Sequence, residues 1–247
     1  RMSVPYSVRL RGNHKAVRKA MKVNPFKEWI VNYLENRSLK QANLVIPASK
    51  DLARKAAEWG VREERITPPV WNGVDTDMFK PMSVRRFRKF TIAYAGRISP
   101  EKRVQYLLKL AETQRDVQLM IAGKKEMPVA FPSNVKYLGE VPFPEMPAFY
   151  NKADLVVLPS ATEGFPNAVL EAYACGKPVL AAREAFPEEL KVFGSVVDID
   201  EFGKEVEALR RSDLQTIGLQ ARSYVQENYT WEKFSKSVVQ CLKALTN

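Results

Sequence analysis

Past residue 89 the chain alternates short apolar runs with amphipathic segments. FTIAYAG (90–96), VQLMIAG (117–123), NVKYLGEV (134–141), DLVVLPS (154–160) and KPVLAA (177–182) are predicted as five buried strands. Between them SPEKRVQYLLKLAETQ (99–114), PEMPAFYNKA (144–153) and NAVLEAYACG (167–176) are predicted as helices. The first of these opens on Ser-Pro-Glu, which suits a helix start. Strands that are apolar throughout belong to a sheet covered on both faces. Strands alternating with helices make such a sheet parallel, so the predicted fold class is α/β. Parallel sheets of this kind bind ligands beyond the carboxyl ends of their strands. The segment after residue 200 is predicted helical to the end, closing with NYTWEKFSKSVVQCLKAL (228–245).

The first 89 residues are less regular. YSVRLRG (6–12) reads as a short strand, and NPFKEWIVNYLENRSLKQA (24–42) as a helix with Trp29, Tyr33 and Leu34 near the 3.6-residue period. NLVIPAS (43–49) is an apolar run ending on Ser49, which can cap KDLARKAAEWG (50–60). Gly60 closes that helix. RITPPVWNGVD (65–75) is expected as a short strand and a turn at Asn72-Gly73. KPMSVRRFRK (80–89) reads as a polar, basic linker. No internal repeat or low-complexity tract interrupts the pattern.

At 247 residues the chain has room for one large or two ordinary domains. A composition of 45% hydrophobic and 27% charged residues is that of a soluble globular protein. No apolar run reaches the roughly 18 residues a membrane span needs. No secretory leader is visible after Arg1, the first residue given. The two cysteines, Cys175 and Cys241, lack metal spacing, and Cys175 in an apolar helix is expected as a buried free thiol. These features point to the cytoplasm. The net charge of +11 is uneven: residues 1–60 carry 13 Lys/Arg against 4 Asp/Glu, while residues 61–247 carry 26 against 24. Long-range attraction to an anionic partner therefore acts through the N-terminal part.

Three loops after predicted strands carry unusual residues. In GRISPEKR (96–103), Gly96 allows a close turn and Arg97 and Lys102 bracket a helix start. Two cations beside a helix N-terminus make a diphosphate site, because the helix end adds free N–H donors and positive potential. In SATEGFPNAVLEA (160–172), Glu163 lies ahead of the helix and Glu171 more than one turn inside it. An ionised carboxylate among apolar residues is costly unless something hydrogen-bonds it. Glu171 is thus expected to meet a ligand hydroxyl or a partner from elsewhere in the fold. The amides from Asn167 through Ala168 to Val169 would face phosphate. In YLGEV (137–141), Gly139 and Val141 are placed for backbone contact with a flat base.

WNGVDTDMF (71–79), AGRISPEKR (95–103) and TEGFPNAVLEAYACGKPVLAA (162–182) together resemble the family 4 retaining glycosyltransferases of the GT-B fold. The resemblance implies two Rossmann-like domains with the active site in the cleft between them. It assigns residues 1–85 to a partial acceptor-side domain and linker, 86–225 to a donor-binding domain, and 226–247 to a helix packing back on the N-terminal part. Arg97, Lys102 and Glu163 take the catalytic positions. Gly164, Phe165, Pro166, Asn167 and Glu171 take donor contacts. Arg11, Asn13 and His14, the only histidine, fall near the acceptor side. Members of the family are longer, and the first strands of the N-terminal domain have no counterpart in this sequence.

The expected activity is transfer of a sugar from a uridine, guanosine or adenosine diphosphate sugar to an acceptor hydroxyl, which the resemblance leaves open as a lipid-linked one. Asp75-Thr76-Asp77 has metal-site spacing but follows the Asn72-Gly73 turn and is read as structural. No metal and no cofactor are expected. Arg9, Arg11, Lys15, Arg18, Lys19, Lys22 and Lys27, with Phe26 and Trp29, point to peripheral association with an anionic membrane at its inner face. Two alternatives follow from the same residues. One is a donor-binding module without independent catalysis. The other is a basic nucleic-acid-binding protein, but no helix-turn-helix, zinc module or aromatic-interleaved basic stripe supports it, so no specific nucleic-acid partner is expected.

Overall fold

A computed structural model describes residues 5–21 and 23–243. The chain opens with β1 (Ser7–Leu10), α1 (His14–Ala20), α2 (Pro25–Gln41), β2 (Leu44–Pro47) and α3 (Lys50–Glu58). β1 and β2 form a two-stranded parallel sheet, with Ser7 opposite Leu44 and Leu10 opposite Pro47. Asn24 accepts from the Phe26 amide at 3.0 Å and caps α2, whose first residue is Pro25. Ser49 accepts from the Leu52 amide at 3.3 Å and starts α3. The segment 65–75 forms no strand. Ile66 makes only an isolated bridge to Val45, because Pro68 and Pro69 follow it and cannot donate to a ladder. Asp75 Oδ1 accepts from the Asp77 and Met78 amides, a turn-forming role.

The second unit contains β3 (Phe90–Ala95), α4 (Val104–Thr113), β4 (Val117–Ala122), β5 (Val135–Tyr137), α5 (Met146–Asn151), β6 (Leu155–Leu158), α6 (Asn167–Ala174), β7 (Val179–Ala182) and β8 (Gly194–Val197). Then come α7 (Phe202–Arg210), α8 (Leu214–Asn228) and α9 (Trp231–Lys243). The sheet is parallel in the order β5-β4-β3-β6-β7-β8. Its strands alternate between two apolar layers. Ile92, Leu119, Leu155 and Leu180 face α4 and α7, while Ala93, Met120, Val156 and Ala181 face α5, α6 and α8. This double covering is what the unbroken apolar runs imply.

In this unit β8 and the start of α4 differ from the sequence expectation. β8 is a sixth strand, four half-buried residues at the sheet edge, too short and too polar to show an apolar run. The helix predicted from Ser99 begins at Val104. Pro100–Lys102 form a 3-10 turn, and Arg103 follows with a left-handed φ of +51°. The Ser99 hydroxyl, expected near a helix cap, instead donates to Glu101 at 2.8 Å.

The chain crosses back after α8. Val74 donates to the Tyr229 carbonyl at 2.8 Å, and a Cβ on Gly73 would lie 2.7 Å from the Thr230 and Trp231 backbone, so only glycine permits this approach. Phe234 and Val238 of α9 pack on Leu44, Ile46 and Val70. Arg9 stacks over the Phe234 ring at 4.4 Å. Ala244 and Leu245 of the predicted last helix lie outside the described residues, as does Lys22.

Candidate active site

The carboxyl ends of β3 and β6 and the first turn of α6 enclose a cavity of about 170 Å³. Tyr94, Ala95, Leu158 and Ser160 line it from the strands, and Pro166, Asn167 and Ala168 from the helix start. Lys102 and Glu163 face each other across it, Nζ to Oε1 2.5 Å, with side chains 17% and 15% exposed. The 3-10 turn and the left-handed Arg103 are what aim Lys102 at Glu163 rather than along α4. The Ala161 amide donates to the Glu101 carbonyl at 2.8 Å and fixes the two loops together.

Ser160 is the residue in this cavity that sequence reasoning missed. It is fully buried, and its Oγ has no hydrogen-bond partner. A buried hydroxyl without a partner is costly. Ser160 follows Pro159 in the DLVVLPS strand end, where it reads as an ordinary loop serine. Tyr94 was also hidden, inside a strand read as core. Its hydroxyl donates to the Arg97 carbonyl at 2.7 Å. Burial, then Glu163 and Glu101, push the Tyr94 hydroxyl above its ordinary range, so it stays protonated.

The other expected residues are placed as follows. Arg97 is outside the cavity lining, and its guanidinium bonds Glu101 at 2.9 Å and Glu126 at 3.0 Å. Gly96 and Gly139 follow β3 and β5, on either side of β4: Gly96 donates to the Ala122 carbonyl at 2.9 Å, and Gly123 donates to the Gly139 carbonyl at 2.7 Å. Val141 packs against the larger core. Phe165 is buried against Tyr229. Val169 is also core, and its amide donates back to the Pro166 carbonyl at 3.1 Å, so it does not face the cavity as expected.

Glu171 meets a protein partner. Its Oε2 accepts from the Tyr150 hydroxyl at 2.7 Å. Burial raises the Glu171 carboxyl to about 7, against the opposing effect of the tyrosine bond. Glu163 and Glu171 therefore occupy different surroundings, the first paired to a cation and the second to a phenol on α5.

The N-terminal unit closes one side of the site. A Cβ on Gly164 would lie 1.9 Å from the Arg11 carbonyl oxygen, so glycine is needed where the two units touch. Thr162, Glu163 and Gly164 also line a second cavity of about 200 Å³ whose far wall includes Ser49, Asp51 and Arg54 of the α3 region. Arg11 and His14 line a third, of about 240 Å³, with Leu39 and Trp59. Asn13 caps α1, accepting from the Ala16 amide at 3.1 Å, which occupies the oxygen expected for an acceptor. Among the described residues no group of three His, Cys, Asp or Glu side chains is placed to hold a metal ion.

The family model described as Glycosyl transferases group 1 matches residues 89–212, the segment that builds the six-stranded sheet and this cavity. The chain belongs to that family. Curated relatives include the D-inositol 3-phosphate glycosyltransferase of Pseudarthrobacter chlorophenolicus, 33% identical over 169 residues, covering 58% of this chain and 40% of the relative. The same-named protein of Mycolicibacterium paratuberculosis is 25% identical over 228 residues, covering 80% and 52% respectively. The chain thus spans about half the length of these relatives. Among solved structures, Anabaena Alr3699/HepE in complex with UDP-glucose superposes with a TM-score of 0.81 at 18% identity, over 97% of this chain and 72% of that one. Sucrose-phosphate synthase from Thermosynechococcus elongatus gives 0.75 at 19% identity, over 92% and 63%. The glycosyltransferase fold is of GT-B type, as the sequence motifs implied.

Proposed function

We propose that the chain transfers a sugar from a nucleotide diphosphate sugar to an acceptor hydroxyl with retention of anomeric configuration and without a metal ion. The observation that carries this reading is the buried, unpartnered Ser160 hydroxyl beside Lys102 and the first turn of α6. All three supply donors or positive charge to one point, which is what a diphosphate needs. In the reaction the bond from the anomeric carbon to phosphate oxygen breaks, and the nucleotide diphosphate leaves with the electron pair. The acceptor hydroxyl then bonds that carbon from the face the diphosphate left and passes its proton to the departing phosphate oxygen. Lys102, Ser160 and the Asn167 and Ala168 amides stabilise the departing charge, with Arg97 contributing from the rim. Glu163 orients the sugar, Glu171 the ribose once it exchanges Tyr150, and Gly139 and Val141 receive the base. The acceptor enters through the cavity shared with α3, near Arg11 and His14.

The UDP-glucose complex of the Anabaena protein makes uridine the first base to test. A thermal-shift panel of UDP-, GDP- and ADP-sugars decides, since a ligand at 100 times its dissociation constant adds roughly 2.7 kcal/mol. No shift with any of them contradicts the reading. A second reading, a donor-binding unit without turnover of its own, rests on the family model, which matches residues 89–212. Binding without sugar transfer would select it.

We further propose that the protein associates with the cytoplasmic face of an anionic membrane. On α2, Phe26, Trp29 and Tyr33 stack in a ladder with ring centroids 6.4 and 6.1 Å apart, each more than half exposed. The basic cluster is smaller than the sequence suggests. Arg9 bonds Asn72, Arg18 bonds Glu35, and Lys15 rests over Trp59. Arg11, Lys19 and Lys27 remain exposed. Among the described residues no helix is long and apolar enough to cross a membrane.

A further inference from the structure

A cavity of about 460 Å³ lies under the linker that leads into β3. Five cations line it: Arg85, Arg86 and Arg88 from the linker, Lys136 from β5, and Lys152 just past α5. Phe87, Met120 and Leu138 form its apolar wall. It shares no lining residue with the cavity of Lys102, Glu163 and Ser160. The topology explains the separation. The linker immediately precedes β3, and Lys152 and Asp154 immediately precede β6. The linker arginines and Lys152 therefore gather toward the amino ends of β3 and β6, whose carboxyl ends line the Lys102 cavity, while Lys136 lies within β5. β3 has six residues, which puts its two ends about 20 Å apart.

The charge here is poorly balanced. Asp154 pairs with Arg86, and its other oxygen accepts from the Thr91 amide at 2.8 Å. Among the described residues the side chains of Arg85, Arg88 and Lys152 have no ion pair or hydrogen bond, and Lys136 rests 5.5 Å from the Phe87 ring centroid. Lys177 feels the same field: burial first, then Arg86, lower its ammonium to about 8. Like charges gathered around one concavity focus a positive potential into it. Guanidinium forks match phosphate oxygens in pairs. A concave site with an apolar wall fits a compact anion, not the flat surface of a bilayer or a duplex.

We propose that this cavity binds a small molecule carrying clustered phosphates, at a site separate from the sugar-nucleotide cavity. The probe is tripolyphosphate, titrated by calorimetry at roughly 0.15 M ionic strength so that distant surface charge is screened. Because tripolyphosphate would also enter the diphosphate site, K102A serves as the reference chain, compared with K102A/R85Q/R88Q/K136Q. Removing uncompensated like charges should leave the thermal midpoint equal or higher. Tripolyphosphate should bind the reference at least tenfold more tightly than the quadruple variant, and raise the midpoint of the reference only. If the quadruple variant folds poorly, K102A/R88Q is expected to lose about threefold. Equal affinity of substituted and reference chains overturns the proposal. So does binding of phosphatidylserine vesicles or single-stranded RNA through these residues without binding of tripolyphosphate.

Discussion

Asn72 donates from Nδ2 to Asn167 Oδ1 at 2.7 Å, tying the segment that crosses between the two sheets to the first residue of α6. The same side chain accepts from Arg9 Nη2 at 2.6 Å, and Arg9 lies on β1 under Phe234. One amide thus links the N-terminal sheet, the crossing segment and the wall of the Lys102–Glu163 cavity.

Asn72→Ala breaks both bonds and a third, from Nδ2 to the Phe165 carbonyl at 3.2 Å, and leaves Arg9 with only the Val70 carbonyl at 3.2 Å as a hydrogen-bond acceptor. Loss of about 1–2 kcal/mol of stability is expected, read from urea unfolding. Donor affinity should fall several-fold because Asn167 loses its support. A variant with unchanged midpoint and unchanged affinity would mean that the linkage carries no energy.

Ser160→Ala separates ligand binding from folding. The Oγ has no partner in the unliganded protein, so removing it should leave stability unchanged or raise it by about 1 kcal/mol. Nucleotide diphosphate affinity should fall by about tenfold, the worth of one hydrogen bond to a charged group. Calorimetry with UDP alongside thermal unfolding checks both. A large loss of stability would make Ser160 a structural residue.

Glu171 gives the protein a specific pH dependence. Its carboxyl is raised from 4.5 to about 7 in the fold, chiefly by burial. The folded state therefore holds a proton that the unfolded state has lost between those values. The Glu171 contribution to stability is complete below pH 4.5, declines as pH rises toward 7, and stays lost above it. Glu171→Gln keeps the shape and an acceptor for Tyr150 but removes the charge. It should match the unsubstituted chain near pH 4.5 and exceed it by on the order of 2–3 kcal/mol at pH 8. Unfolding curves at both pH values measure this, and a difference of the opposite sign at pH 8 would show that the carboxylate is stabilised by groups other than Tyr150.

Much of the sheet was legible because its strands are buried on both faces and so write unbroken apolar runs, as in LVVL of β6. β8 was not, because an edge strand with four half-buried residues needs no such run. The same physics divides the site. Lys102 and Glu163 were legible as charged residues in glycine-bearing loops beside a helix start. Ser160 and Tyr94 were not, since a serine after a strand and a tyrosine within one are ordinary until burial and a missing partner are seen. The Glu171–Tyr150 bond joins residues 21 positions apart, and no local spacing announces it.

The α2 ladder predicts reversible membrane binding. Each exposed basic residue near an anionic surface contributes about 1 kcal/mol, and the three aromatic rings add apolar contact. The chain should co-sediment with phosphatidylserine vesicles at low salt, less at moderate salt, and not with neutral vesicles. Trp29→Ala with Phe26→Ala should reduce the bound fraction severalfold. Equal recovery in the supernatant with both lipids would exclude the membrane role.

In the proposed function a nucleotide sugar seats its diphosphate between Lys102, Ser160 and the start of α6 without a metal ion. The most direct measurement is the affinity of the unsubstituted chain and of Lys102→Ala for UDP-glucose in the presence of EDTA, with GDP- and ADP-glucose run in parallel. Saturable binding of at least one of them in EDTA, weakened tenfold or more by Lys102→Ala, is expected. Equal affinity of the two chains, or binding that appears only when a divalent metal is added, would contradict it.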